Sequence, residues 1–231
     1  MDIEILQLLE GAERARGLAV VIDVLRAFSL ECFLADWGAA ELRPVGALEE
    51  TFAWRDRDPS VLLVGERGGA RCAGFDYGNS PSSIPPEAVR GRRVIHTTSA
   101  GTQGLTRALH AEERITGSLV NAAAVAAYIR QRQPETVSLV CMGNGGIREA
   151  PEDLLCAEYI RSLLLGQPFP GLEARIQALR WHGGQHFFNP DTQEIYPEAD
   201  FRLCTKRDQF PFVLRAEQDG LGLYMKKVVT L

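Results

Sequence analysis

The sequence predicts an α/β fold with three layers, α/β/α, in which helices cover both faces of a largely parallel central sheet. Two observations predict it. Short apolar runs rich in β-branched residues recur along the chain, and most end at a polar or glycine-bearing turn that leads into a helical pattern. The runs are apolar almost throughout, which is typical of strands buried on both faces. We expect residues 1–231 to form a single domain, with 167–231 as its least clearly patterned part.

The elements can be placed in order along the chain. The predicted strands are LAVVID (18–23), VLLVG (61–65), RVIHT (93–97), a short run near Arg114–Thr116 and VSLVC (137–141). The predicted helical runs are LRAFSLECFLADWG, QGLTRALHAE, SLVNAAAVAAYIRQR and PEDLLCAEYIRSLLL. Gly38 is suited to end the first helix, and Pro151 suits the first turn of the last one. After Gly166 the pattern weakens, and we expect further helix and a strand or two.

Composition and charge exclude several classes of function. The chain has 30 acidic against 25 basic residues, which argues against a general nucleic-acid binder. The five cysteines are scattered and, like the four histidines, show no zinc-site spacing, so a reduced cytoplasmic setting is expected. The first residues are acidic where a signal peptide would be basic, and no apolar run approaches the roughly 20 residues that span a bilayer. We therefore expect no membrane partner.

Polar residues stand at the end of each predicted strand. They are Asp23, Glu66 with Arg67, Thr97 with Thr98, and Cys141 with the glycines after it. Because parallel strands deliver their last residues to the same edge of a sheet, the following loops should form one crevice there. This convergence is the main reason to expect an active site.

Asp23 and Arg26 lie where the first clear strand passes into a helix. A partly shielded carboxylate at position 23 suits Mg²⁺, a hard cation that takes oxygen ligands. The alternative is that Asp23 caps the helix that follows. Arg26 could hold a phosphate or carboxylate in a bidentate fork, or it could be an ordinary surface arginine.

Two glycine-bearing loops are candidate anion sites. In TTSAGTQG (97–104), hydroxyl groups and backbone amides at a helix start would cradle an anion, although a simple capped turn has the same pattern. In CMGNGG (141–146), we interpret Cys141 as a packing residue and the loop around Gly145 as a backbone contact for an anion. Glu152 and Asp153 open the next helix, where they complement the helix dipole or contribute to a metal site.

Seven motifs occur together and in a fixed order: VIDVLRAFS, GER, GFDYGNSPSS, TTSAGT, SLVNAAAVA, VCMGNGG and PEDLLCAEYI. In this order they resemble the 2-phosphosulfolactate phosphatases of coenzyme M biosynthesis, closely over residues 1–165 and loosely after that. The resemblance implies a three-layer α/β/α fold, dependence on Mg²⁺ and hydrolysis of a phosphate ester of a small sulfonated or carboxylated hydroxy acid. The expected reaction converts 2-phosphosulfolactate to sulfolactate and phosphate.

The resemblance also implies which residues carry the chemistry. The expected catalytic residues are Asp23, Arg26, Glu66 and Asp76. The expected substrate-binding residues are Arg67, Asn79, Ser80, Thr97, Thr98, Gly101 and Thr102, to which the loop pattern adds Gly145. The expected Mg²⁺ ligands are drawn from Asp23, Glu66, Asp76 and Asp153, and Glu152 also falls on a motif position.

The irregular stretch GERGGARCAGFDYGNSPSS (65–83) acquires a function from this resemblance. Its glycines would let the backbone fold back over the crevice and carry Asp76, Asn79 and Ser80 into the site. The alternative is a surface loop that closes on Phe75.

The chain departs from the family pattern at two places, and these leave the substrate open. Thr98-Ser99-Ala100-Gly101-Thr102 is one residue longer than the usual Thr-Asn-Gly-Thr, and Ala157-Glu158 stands where Ala-Gly is common. The alternatives are a phosphatase for a different phosphorylated hydroxy acid and a non-catalytic protein that binds a small anion. The sequence leaves open whether a carboxylate acts as nucleophile or as base, and whether the protein is a homodimer.

Overall fold

A computed structural model describes residues 1–230. Ten strands and nine helices are found among these residues, with four short 3₁₀ turns between them. In chain order they are β1 (Asp2–Gln7), α1 (Leu8–Arg14), β2 (Leu18–Ile22), α2 (Ala27–Asp36), β3 (Glu41–Pro44), α3 (Leu48–Arg57), β4 (Leu62–Arg67), β5 (Ala70–Arg71), α4 (Pro86–Val89), β6 (Arg93–Thr97), α5 (Gly101–Arg107), β7 (Glu113–Gly117), α6 (Ala122–Arg132), β8 (Thr136–Cys141), α7 (Pro151–Leu165), α8 (Leu172–Ala178), α9 (Glu198–Cys204), β9 (Phe212–Asp219) and β10 (Gly222–Val229).

The strands form one sheet in the order β1-β8-β2-β7-β9-β10-β3-β6-β4-β5. The pairs β1–β8, β8–β2 and β2–β7 are parallel, and so are β3–β6 and β6–β4. The antiparallel hairpin β9–β10 lies between these two parallel groups, and β5 adds a short antiparallel edge. The prediction of a largely parallel sheet is confirmed.

Helices cover both faces of the sheet, so the predicted three-layer α/β/α architecture is confirmed. On one face, α2 and α5 share a core cluster with strands of both parallel groups, including Phe28, Leu105, Val21 and Val64. On the other face, α6 and α7 pack against β2 and β8, and α3 packs against β4 and β6. The helices α2 and α5 therefore form a layer that the two parallel groups have in common.

The predicted strands are all present, and three further strands, β1, β3 and β5, were not predicted. β1 is an edge strand with an alternating sequence, DIEILQ, and only its fifth residue is fully buried. β3 has four residues and ends in Pro44, so it carries little of a strand pattern. Residues 167–230 supply helix and two strands, as expected, but these strands lie in the middle of the sheet rather than at its edge.

The two parallel groups do not point the same way along the sheet. Three successive pairings, β7–β9, β9–β10 and β10–β3, are antiparallel, so the local strand direction is reversed from one group to the other. A flat parallel sheet, which would place all the predicted strand ends at one edge, therefore does not describe this chain. The loops after β2 and β6 still meet, because both groups pack against α2 and α5.

None of the helices within residues 1–230 combines the length and the apolar composition that crossing a membrane requires.

Candidate active site

The turn between β2 and α2 carries Asp23 directly after the strand ends. Asp23 is 6% exposed, and its Oδ1 accepts a hydrogen bond of 3.1 Å from the N–H of Ala27, the first residue of α2. One free amide of the helix start is satisfied in this way, so helix capping is part of what Asp23 does. The second oxygen, Oδ2, lies against Gly101.

Gly101 begins α5 and brings the loop after β6 into contact with Asp23. A Cβ atom added to Gly101 would lie 2.8 Å from Asp23 Oδ2 and 2.8 Å from the Cβ of Ala27. Both separations are shorter than van der Waals contact, so any side chain at this position would force the two turns apart. The absence of a side chain at position 101 therefore allows two distant motifs to meet.

The first turn of α7 adds two more acids beside Asp23. Asp153 accepts the N–H of Val24 at 2.8 Å on Oδ1 and the N–H of Gly143 at 2.8 Å on Oδ2, which ties the β2–α2 turn to the loop after β8. Glu152 is 3% exposed, and its buried Oε2 has no hydrogen-bond partner within residues 1–230. Because an unpaired buried carboxylate is costly, Oε2 is an oxygen that a bound cation would satisfy.

These three carboxyl groups influence one another. Burial, followed by the charge of Asp153, raises the pKa of Asp23 to about 8. Burial and the charge of Glu152 raise the pKa of Asp153 to about 8, although hydrogen bonds from backbone amides oppose this. Burial raises the pKa of Glu152 to about 7, and the charge of Asp23 adds to it. Each raised pKa means that the folded site disfavours the charged form of that carboxyl group, so ionising all three together carries a cost that a bound cation would reduce.

Glu66 and Arg67, at the end of β4, organise the loop after β6. Glu66 Oε1 accepts the N–H of Ser99 at 2.6 Å, and Oε2 accepts the N–H of Gly69 at 2.7 Å. Arg67 donates to Thr97 Oγ1 at 2.9 Å. The charge of Glu66 also contributes to the raised pKa of Asp23, so Glu66 belongs to the same acidic group.

In the loop at residues 97–104, which was predicted to bind an anion, two threonine side chains already occupy backbone amides that an anion would use. The amide of Thr98 donates to Thr102 Oγ1 at 2.8 Å, and the amide of Thr102 donates to Thr98 Oγ1 at 3.1 Å. Both threonines are buried. These two amides are therefore used to hold the loop in shape, and a bound anion would need other donors.

Arg26 lies at the start of α2 and has a partner that the sequence did not reveal. Its Nη1 donates to Asp200 Oδ2 at 2.7 Å in a fully buried ion pair. The other oxygen of Asp200 accepts from Ser80 Oγ at 3.0 Å and from the N–H of Ser82 at 2.9 Å. Asp200 thus joins Arg26 to the Gly-Asn-Ser-Pro segment. Asp200 lies in the weakly patterned C-terminal part, where no local signal marks it.

A cavity of about 630 Å³ opens beside this ion pair. Its lining includes Gly69, Ser80 and Ile195. The carbonyl oxygens of Ile195 and Gly69 both accept hydrogen bonds from Arg26. The cavity therefore reaches the residues that surround the guanidinium group.

The sequence matches the family described as 2-phosphosulpholactate phosphatase over residues 4–219. The chain belongs to the 2-phosphosulfolactate phosphatase family. This match extends beyond the 1–165 region in which the family motifs are close, and it includes β9, the first strand of the C-terminal hairpin.

Several relatives within this family cover most of the chain. A protein of Caldicellulosiruptor saccharolyticus is 36% identical over 207 residues, which is 82% of this chain and 85% of the relative. A protein of Thermosynechococcus vestitus is 38% identical over 208 residues, which is 82% of this chain and 85% of the relative. One of Bacillus subtilis is 28% identical over 212 residues, 91% of each chain. All three carry the name probable 2-phosphosulfolactate phosphatase.

We call Asp23, Glu66, Glu152 and Asp153 the acidic cluster. Two residues that were predicted to belong to the site do not lie in this cluster. The carboxylate of Asp76 pairs with Arg55 and accepts the N–H of Leu63 at 2.8 Å. It joins α3 to β4 and lines the cavity near Arg26, away from Asp23. Gly145 is exposed at the tip of a tight turn, with nothing within 4 Å of an added Cβ. The geometry thus favours neither a metal-binding Asp76 nor an anion contact at Gly145.

Asn79, from the family's Gly-Asn-Ser-Pro segment, does reach the site. Its Oδ1 lies 3.2 Å from Nε2 of His96, and Nδ1 of His96 lies 2.8 Å from Oε1 of Glu31. All three residues are buried, and the charge of His96 lowers the pKa of Asp23. Reasoning from the sequence missed both His96 and Glu31, because each lies inside a regular element whose pattern suggested only core packing.

The donor set suits a cation that needs few protein ligands. Within residues 1–230, no group of three or more His, Cys, Asp or Glu side chains is arranged to hold a metal ion. Mg²⁺ is commonly bound by one or two carboxylates together with waters and phosphate oxygens. Asp23 Oδ2 and the unpartnered Oε2 of Glu152 meet that requirement, whereas Asp153 and Glu66 already accept backbone N–H groups.

The cysteines take no part in this site. All five are free and buried, and burial raises the pKa of Cys141 well above its ordinary value. A buried thiol of this kind is a packing residue rather than a nucleophile.

Proposed function

We propose that this protein is a Mg²⁺-dependent phosphatase that hydrolyses 2-phosphosulfolactate to sulfolactate and phosphate. Family membership supports the reaction, and the name carried by the relatives supports the substrate. The observation that carries the proposal is the buried group of Asp23, Glu152 and Asp153, formed by motifs that are far apart in the sequence.

The repulsion among these carboxylates supports a role for a divalent cation. The substrate carries phosphate, sulfonate and carboxylate groups, and like charges at short range in a shielded site repel strongly. Asp23 and Glu152 would hold Mg²⁺ between themselves and the phosphate. When bound, the ion neutralises charge on the phosphate and stabilises the departing oxygen.

The remaining residues shape the site and supply donors. Asp153 fixes the amides of Val24 and Gly143, and Glu66 fixes the loop at Ser99. Arg26 lies beside the cavity as the donor for an anionic group of the substrate. Asp23 also contributes the reactive carboxylate, which either attacks phosphorus and displaces the hydroxy acid, or takes a proton from the attacking water.

The test is phosphate release by the purified chain after removal of metal ions with a chelator. We expect hydrolysis of 2-phosphosulfolactate that returns on addition of Mg²⁺. Asp23→Asn should lower kcat by about a thousandfold or more, since it removes the reactive carboxylate. The matched control is Asp56→Asn, an exposed acid on α3, which should leave kcat unchanged.

Other outcomes would point to the alternatives. Release of phosphate from other phosphorylated hydroxy acids, but not from 2-phosphosulfolactate, would show that the proposed substrate is wrong. Thermal stabilisation by small anions without any turnover would indicate a binding protein. An acid-quenched sample in which the intact chain carries a phosphoryl group would show that Asp23 acts as a nucleophile, provided that Asp23→Asn abolishes it.

A further inference from the structure

Glu31, His96 and Asn79 form a chain of contacts beneath the acidic cluster. Glu31 lies in the middle of α2, His96 is the penultimate residue of β6, and Asn79 belongs to the Gly-Asn-Ser-Pro segment. Glu31 and His96 are 0% exposed and Asn79 is 5% exposed. Three separate elements thus contribute one polar side chain each to an otherwise apolar interior.

The contacts determine where the hydrogen atoms lie. Oδ1 of Asn79 can only accept, so Nε2 of His96, 3.2 Å away, carries a hydrogen. Nδ1 of His96 faces Oε1 of Glu31 at 2.8 Å, so one hydrogen lies between these two atoms. His96 therefore links the carboxyl group of Glu31 to the carboxamide of Asn79 through its two ring nitrogens.

This arrangement fixes the orientation of the Asn79 carboxamide. Because Oδ1 is held by His96, the Nδ2 group points the other way, and none of the described residues accepts a hydrogen bond from it. Nδ2 is not among the fully buried unpaired atoms, so it is open to a ligand. Asn79 is next to Ser80, which binds Asp200 and through it Arg26. On its other side, His96 is close enough to Asp23 to lower the pKa of that carboxyl group. The free Nδ2 donors thus belong to a segment that contacts Asp200 through Ser80 and His96 through Asn79.

We propose that His96 and Glu31 are positioning residues that hold the Asn79 carboxamide with its Nδ2 donors towards an oxyanion of the substrate. The proposal rests on the proposed function for the identity of that oxyanion. In Glu31→Gln the ring loses its carboxyl partner, so Nε2 is no longer held as the donor. A bare Nε2 would accept from the carboxamide, which would then turn over and present Oδ1 to the anion.

The test measures binding of inorganic phosphate by calorimetry in the presence of Mg²⁺, together with kcat and KM. Glu31→Gln and Asn79→Ala should each weaken phosphate binding about 10- to 100-fold, as expected for a lost hydrogen bond to a charged group. KM should rise by a similar factor and kcat should change much less. The exposed Glu49→Gln on α3 is the control and should bind phosphate as the unmodified chain does.

A double-mutant cycle separates positioning from simple support of the core. If Glu31 acts through Asn79, then Glu31→Gln in an Asn79→Ala background should weaken phosphate binding no further. Full additivity of the two losses would overturn the proposal. So would a Glu31→Gln variant that melts earlier but binds phosphate normally.

A second measurement applies if Glu31→Gln does not fold. In the unmodified chain, the ¹⁵N resonances of the His96 ring, identified after replacement of the three other histidines, should show a hydrogen on Nε2. A ring with a bare Nε2 would contradict the proposal. Neither phosphate binding nor the spectrum of the His96 ring depends on turnover. If the protein hydrolyses no substrate but still gives the expected binding and spectrum, the proposed function is wrong and the positioning role of His96 and Glu31 is supported.

Discussion

At the scale of single residues, the buried carboxyl group of Asp23 lowers the stability of the fold, although the proposed reaction requires it. Its carboxyl group is buried beside Asp153, and the pKa is raised from 3.8 to about 8. The unfolded chain releases this proton near pH 4, whereas the folded chain holds it until about pH 8. This group therefore costs the fold stability as the pH rises through that window, and the cost is fully present above it.

Replacing Asp23 by Asn should remove this cost. Without divalent ions, we expect Asp23→Asn to melt at least about 3 °C above the unmodified chain at pH 8, with the difference shrinking towards pH 5. Added Mg²⁺ should raise the melting temperature of the unmodified chain and leave that of the variant unchanged. Thermal melts at several pH values would check this. A variant that is less stable at pH 8 would show that the fold compensates the charge of Asp23.

At the scale of elements, the site depends on how closely α2 and α5 approach. The strand ends that carry Asp23 and Thr97 belong to parallel groups of reversed direction, so the sheet alone does not unite them. The contact of Gly101 with Ala27 and Asp23 does so. The segment from α8 to α9 adds a second connection, since Asp200 binds Arg26 and the Gly-Asn-Ser-Pro segment at once.

Gly101→Ala tests this helix contact. The new Cβ would overlap Ala27 and Oδ2 of Asp23, so we expect a loss of about 1–3 kcal/mol in the free energy of unfolding. kcat/KM should fall at least tenfold, because Asp23 must move. Gly220→Ala in the β9–β10 turn meets no atom within 4 Å and is the matched control. Normal activity in Gly101→Ala would show that the approach of the two turns is not needed for catalysis.

At the scale of the whole molecule, the C-terminal hairpin connects the two parallel groups. β9 pairs with β7, β10 pairs with β3, and Val213, Leu214 and Met225 are buried in the core. A domain whose central strands come from its C-terminal residues is expected to unfold in one transition. We therefore predict that residues 1–231 form a single cooperative domain.

Thiol labelling in guanidinium tests this prediction. Cys32, Cys141, Cys156 and Cys204 are 0% exposed and lie in α2, β8, α7 and α9. Burial raises the pKa of each thiol, so none should react in the native protein. At intermediate denaturant, all four should be labelled at one rate, as mass spectrometry of peptides would show. Earlier labelling of Cys204 would mean that 167–231 unfolds separately and that the single-domain prediction is wrong.

Local patterns were sufficient for some features of the site. Asp23, Glu66, Glu152 and Gly101 were identified because each follows a strand or opens a helix, where periodicity changes abruptly. Asp76 was expected in the same place, but Arg55 and the amide of Leu63 hold it elsewhere. The choice of partner for a carboxylate depends on which donors are packed around it, and the sequence does not contain that information directly.

The sequence by itself determined the order and type of most elements, the polar residues at the strand ends and the family, since all of these follow from short-range patterns of residues. Only the tertiary structure decided that the C-terminal hairpin lies in the middle of the sheet, that Asp200 binds Arg26, and that Glu31 and His96 hold Asn79. The physical reason is that a buried polar group must find a partner, and packing brings that partner from more than a hundred residues away for Arg26 and from sixty-five for Glu31.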